Sequence, residues 1–166
     1  MLTCRTYATL IAAATSVAIA CVGTGQAAAA GAAAPSACRP ANHLANIRAD
    51  QAGSGHLHFR VTLTAPKGYA SCRLAGSPTV LGFTRHGVPL GVEAGRYGDQ
   101  TTSVTFGPGH PVHFDIQVPD RGHHSRADQV SFTLRAPDGE IPGTSVADGT
   151  LRVAPGTVAG PVRSGA

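Results

Sequence analysis

The chain has 166 residues, with 13 Lys and Arg against 9 Asp and Glu and a formal net charge of +4. That length suits one domain with a core and not two comfortable ones. Past Ala30 the basic and acidic residues are spread evenly, and no basic cluster alternates with aromatics, so a nucleic-acid footprint is absent.

Residues 1–30 read as a cleavable secretory signal. Arg5 supplies a thin positive start, the 13 residues Leu10 to Val22 form an apolar stretch, and GTGQAAAA offers small side chains for cleavage. The apolar stretch is shorter than the roughly 20 residues of a spanning helix, so no integral membrane span is expected once the signal is removed. A rival reading places a lipid on Cys21, within Ala18-Ile19-Ala20-Cys21, as in a bacterial lipoprotein. Cys4 and Cys21 leave with a cleaved signal, so the mature chain keeps Cys38 and Cys72. In an oxidising compartment an even pair in a small domain is most simply a disulfide.

Residues 31–37 form a low-complexity leader expected to be mobile. Ala45, Ile47 and Ala49 alternate with polar residues as a weak first strand, and Gln51 to Gly55 is a turn cluster. His56 to Thr64 is the clearest strand: Leu57, Phe59, Val61 and Leu63 face one way, and His56, His58, Arg60, Thr62 and Thr64 the other. The segment from Cys72 to Phe83 then ties the N-terminus to what should be a central strand, with Val80, Leu81 and Phe83 as its apolar part. Val88 to Val92 carries Pro89 and reads as an edge strand. Glu93 to Gln100 is a polar loop around Tyr97. Alternating strands follow at Thr102–Phe106, Val112–Val118 and Val130–Leu134, the last two separated by a polar loop from Asp120 to Asp128. Leu151 and Val153 close the set, and residues 157–166 read as a flexible Gly- and Pro-rich tail.

No stretch past Ala30 has capped helical periodicity. Gly and Pro make up 33 of 166 residues and punctuate the strands about every ten residues. The expected fold is therefore all-β: an immunoglobulin-like antiparallel β-sandwich of about seven to eight strands over residues 38–156. Aliphatic and aromatic content is modest and Trp is absent, so a core of that size should depend on its disulfide.

Several elements together resemble a known family. They are Cys38 near the mature start; Cys72-Arg73-Leu74-Ala75-Gly76-Ser77-Pro78; His86-Gly87-Val88-Pro89-Leu90; Phe106-Gly107-Pro108-Gly109 leading into Val112–Val118; and Leu151-Arg152-Val153-Ala154-Pro155-Gly156. The chain resembles, from Cys38 to Gly156, secreted actinobacterial proteins grouped only as a domain of unknown function with an immunoglobulin-like sandwich. Members often carry a second cysteine pair, missing here. The resemblance implies the fold and export, and brings no catalytic residues.

Histidine is the only chemical surplus. His56 and His58 share one strand face with side chains about 7 Å apart, a spacing that can hold copper or zinc. His113 and Asp115 make a similar outward pair, but an immunoglobulin-like order puts their strand in the opposite sheet from His56. There is no Gly-x-Ser-x-Gly elbow, and Ser54 is a turn serine. The nine acids lack a framing motif for glycoside chemistry, and no phosphate-cradling glycine loop opens a helix. The expected function is a non-enzymatic, exported module of the cell envelope or medium. No cofactor is expected, and the partner is an unknown protein, glycan or cell-wall component. Its contacts are expected from the loops Glu93–Gln100 and Asp120–Asp128. The alternatives are an extracellular metal-binding protein using His56 and His58, or an enzyme assembled from the loops.

Overall fold

The computed structural model describes residues 33–166, so the expectations for the signal segment and for Cys21 lie outside the described residues. Among the described residues fourteen strands run in chain order. They are β1 (Leu44–Gly53), β2 (His56–Thr64), β3 (Cys72–Ala75), β4 (Thr79–Arg85), β5 (Val88–Pro89), β6 (Gly95–Arg96) and β7 (Ser103–Phe106). Then come β8 (Val112–Pro119), β9 (Ser125–Thr133), β10 (Arg135–Ala136), β11 (Gly139–Glu140), β12 (Ser145–Val153), β13 (Val158–Ala159) and β14 (Arg163–Ser164). No α-helix occurs among the described residues; a single 3-10 turn spans Pro40–Asn42. The all-β expectation holds.

Most strands join one sheet in the order β5-β4-β9-β12-β1-β2-β8-β13-β6, with β14 also on β8. Alternation drives it. Phe59, Val61 and Leu63 of β2 are buried, as are Val112, Phe114, Ile116 and Val118 of β8, while the residues between them face outward. The sheet curls until its halves pack face to face. Phe114 of β8 meets Phe132 of β9 edge-on with ring centroids 5.1 Å apart, although three strands separate β8 from β9 in the order. The curl brings the two edges together: Val162 N–H donates to Gly76 O at 2.9 Å, and Ser77 N–H donates to the Gln100 side chain at 2.9 Å. Leu90, Val92 and Ala94, between β5 and β6, pack against the core across that seam.

Two pairings are parallel, β1 with β12 and β13 with β6, so the sheet is mixed rather than wholly antiparallel. The β1–β12 junction is tight. Gly149 holds φ at 149°, and a Cβ there would stand 2.5 Å from the Ile47 carbonyl oxygen, so only glycine fits.

Four expectations are corrected. The tail, residues 157–166, is not flexible: β13 pairs with β8 at Gln117 and Ile116, β14 pairs at His113 and Val112, and Thr157, Ala159 and Val162 are buried. Its short apolar residues cover the margin of β8, which would otherwise expose backbone donors and acceptors. The end of the leader is also ordered, because Ala70 N–H donates to Pro35 O at 3.0 Å and Ala37 N–H to Ala70 O at 2.8 Å. The strand that the Cys72–Phe83 segment leads into, β4, stands one place from the sheet edge, between β5 and β9, rather than at its centre, and Cys72 itself lies in β3, which pairs only with β7 in a separate two-stranded ribbon. The strand of His56 and the strand of His113 are neighbours in one sheet, with Thr62 opposite His113.

Two local readings also shift. Val80 is 74% exposed at φ 50°, where a bulge interrupts the pairing of β4 with β9, so it adds nothing to the core. The loop expected up to Asp128 ends earlier, because β9 begins at Ser125 and its Ala127 is already buried.

Candidate functional site

β1 and β12 start, and β9 ends, at the same end of the sandwich, because β1 runs parallel to β12 and β9 antiparallel to it. Their flanking segments therefore meet there. Cys38 and the Pro40–Asn42 turn precede β1, the β10–β11 hairpin follows β9, and Pro142 to Thr144 precede β12. The Cys38–Cys72 disulfide, with Cα atoms 6.1 Å apart, clips the β3 ribbon onto this end. Asn42 holds the turn by donating its backbone N–H to Arg39 O at 2.9 Å and its side-chain amide to Ser36 O at 2.7 Å. Pro40 and Gly143 are in close approach, with the Pro40 ring 3.0 Å from where a Cβ would stand.

These segments enclose a groove of about 910 Å³ lined by the disulfide with Pro40, Ala41, Pro137, Ile141 and Pro142. Arg39 and Arg73, both exposed, also border it, as does Asp138. Each arginine directly follows one of the bridged cysteines, but side chains alternate along β3, so Arg73 leaves the strand on the face opposite the Cys72 sulfur. Arg73 donates one N–H to the Ser103 hydroxyl, and neither arginine belongs to an ion pair among the described residues.

Just beyond Ala41 and Thr144 in the chain lie two residues that form a buried pair. His43 Nδ1–H donates to Ala37 O at 2.9 Å, leaving Nε2 to accept from the Ser145 hydroxyl at 3.0 Å. The ring also meets Phe106 edge-on at 5.6 Å. Burial holds the His43 pKa below its ordinary value, and backbone hydrogen bonds only partly oppose that. The geometry is that of a nucleophile with its base. However, His43 is 8% and Ser145 2% exposed, so the hydroxyl has no path to a substrate, and the pair serves as a satisfied polar contact within the core.

A second feature crosses the outer face of β1, β2 and β8. Arg60 reaches Asp50 at 2.8 Å and stands 3.7 Å from Asp115, too far for a hydrogen bond between the buried Nε and Oδ1. Arg48 lies directly opposite Arg60, and Asn46, Thr62 and Thr64 complete a polar shelf. Tyr97 borders this network, and its pKa is raised by burial first and by the Asp115 charge second.

The residues singled out in the sequence are not brought together. His56 donates a ring N–H to Ser54 O at 3.0 Å, and His58 donates one to Gly53 O at 3.3 Å. Both bonds fall within the β1–β2 hairpin. His113 instead donates to Gly165 O at 3.0 Å, and His124 to Pro119 O at 2.7 Å. Among the described residues no three His, Cys, Asp or Glu side chains converge, whereas zinc sites take three or four protein ligands. The loop Glu93–Gln100 is pinned to the sheet. Tyr97 N–H donates to Ala159 O at 3.0 Å, and the Gln100 amide donates to Ser77 Oγ, Tyr97 O and Gly98 O. Asp99 accepts from the Thr102 and Thr101 hydroxyls, which hold its carboxyl below the usual carboxylate range.

The groove was invisible in the sequence because its walls come from segments about 100 residues apart. The prolines at 40, 137 and 142 line it, but nothing local in the sequence says that they meet.

These features define a small, disulfide-tied, all-β domain whose sheet curls into a sandwich. The chain belongs to the family described as Domain of unknown function (DUF4232), which matches residues 38–163. That match begins at the first bridged cysteine and runs through β13 into β14, beyond the boundary expected at residue 156. No curated protein and no solved structure matches the chain.

Proposed function

We propose that this chain is an exported, non-enzymatic binding module of the cell envelope or medium, and that the groove beside the disulfide is its contact surface. The observation that carries the reading is the groove: concave, mostly apolar, with a few charged groups, and of a size typical for ligand sites. The disulfide fits an oxidising, non-cytoplasmic compartment. No helix among the described residues is long and apolar enough to cross a membrane. The groove replaces the two loops as the favoured surface, since one is fastened along the sheet edge and the other is shorter than expected.

Retention on the envelope tests this. The oxidised, processed protein is incubated with a washed envelope fraction, alongside Ala41→Trp, which fills the groove from an exposed position. Groove-dependent retention leaves the wild type bound and the variant in the supernatant. Equal partitioning of the two rules the groove out as the contact surface.

A further inference from the structure

We infer that a polar cleft between the β3–β7 ribbon and β14 binds a phosphate group, free or in ester linkage. The cleft has a volume of about 410 Å³ and is lined by Arg73, Ser103, Thr105, His110 and Ser164, with no carboxylate in its walls. Alternation puts three of these side chains on one face of the ribbon. Thr105 stands directly opposite Arg73, and Ser103 is two residues from Thr105. The Cys72 sulfur and the buried Leu74 and Phe106 take the other face, so this is a second site, across the ribbon from the disulfide.

Each donor is held by its own stretch of backbone. The Arg73 guanidinium is set by one bond to the Ser103 hydroxyl and joins no ion pair among the described residues. His110 closes the turn Gly107-Pro108-Gly109-His110 by donating its N–H to Gly107 O at 2.9 Å. Pro108 suits the second position of that turn, and Gly109 holds φ at 77° at the third, as a type II turn requires. Ser164 pairs with Val112, and Gly165 beside it is tied twice: its N–H donates to Pro111 O at 2.9 Å, and its O accepts from the His113 ring at 3.0 Å. Ser103 accepts from Arg73 and keeps its own O–H to give, while the Thr105 and Ser164 hydroxyls and the His110 ring make no hydrogen bond among the described residues. The cleft therefore presents one fixed cation and several free donors, with no acid in its lining to take them. A phosphate ester brings three strong acceptor oxygens that can meet donors from several directions, whereas a carboxylate has two in one plane. Arginine matches such a group in charge and in geometry. None of the five side chains is buried, so the expected affinity is modest, with a Kd of about 0.1–3 mM.

Amide NMR of the oxidised, isotope-labelled chain is the test, with inorganic phosphate, glycerol phosphate as the ester and acetate as the planar contrast, each titrated at constant ionic strength. The amide resonances of Arg73, Ser103, Thr105, His110 and Ser164 should move saturably with phosphate and barely with acetate. Arg73→Gln should weaken binding roughly five- to tenfold, as loss of one exposed charge-assisted contact would. Ser164→Glu places a carboxylate in the cleft and should abolish binding, with the rest of the spectrum unchanged. Arg152→Gln removes the same charge from an exposed position on β12 outside the cleft, and should leave the affinity as it was.

Shifts scattered over the surface arginines, acetate binding as tight as phosphate, or no saturation by roughly 20 mM phosphate overturns the assignment. So does equal weakening by Arg73→Gln and Arg152→Gln, which would reduce the effect to overall charge. Glycerol phosphate binding at least as tightly as inorganic phosphate supports the site and assigns it to an ester. Saturable binding of inorganic phosphate alone supports the site and assigns it to the free ion. Envelope retention through the disulfide groove is read from a different surface, so either proposal can fail without the other.

Discussion

His43 shows how one buried side chain can make a fold sensitive to pH. Its ring is satisfied on both nitrogens while neutral, by Ala37 O and Ser145, and its pKa is lowered by burial. In the unfolded chain the same histidine takes a proton near its ordinary value of 6.5. Below that pH the unfolded state binds more protons than the folded one, so stability falls as the solution is acidified toward the folded-state pKa. Above 6.5 both states are neutral at this position and the effect vanishes. Urea unfolding at pH 7.5 and at pH 5 should therefore show a larger loss on acidification for wild type than for His43→Gln. Equal losses in the two proteins would mean that the ring is not shielded from protons as its contacts indicate. Neither half of the pair could be matched from the sequence, because His43 and Ser145 lie 102 residues apart.

At the scale of elements, the β3–β7 ribbon shares no hydrogen-bonded pairing with the main sheet. It is held by the burial of Leu74 and Phe106 and by the Cys38–Cys72 bridge. With a sequence separation of 34, the bridge stabilises the fold by about 4 kcal/mol in the chain-entropy account. Cys38→Ala/Cys72→Ala should lower the unfolding free energy by about 3–4 kcal/mol, read from urea midpoints at unchanged slope. A loss under about 1 kcal/mol would show that the ribbon is held by packing alone. The expectation of a disulfide came from compartment and parity, and both lie in the sequence. The strand expected beyond it, at Val80 to Phe83, is β4, and its place beside the short edge strand β5 depends on a choice of partners that its own apolar run does not encode.

At the scale of the whole molecule, the segment after Val153 closes the structure. It looked like a tail because its apolar residues are few and separated by glycine and proline. Yet Ala159 and Val162 are buried, and Gly160 N–H donates to Asp115 O at 2.8 Å. Removing residues 157–166 should expose the margin of β8 and part of the core, at a cost of more than about 3 kcal/mol. Thermal unfolding of the truncated chain would then shift down by many degrees or lose its cooperativity, and an unchanged midpoint would return the segment to the status of a tail. Period-two alternation in β2, β8 and β9 declared these segments as strands with one dry face, since that pattern depends only on neighbours along the chain. Gly-Pro punctuation likewise marked most of the turns. Partner choice was a different matter. The parallel junction of β1 with β12, the adjacency of β2 and β8, and the meeting of three distant segments around the disulfide depend on register and on how far the sheet curls. Those are set by contacts between residues far apart in sequence, so the composition of any one segment could not decide them.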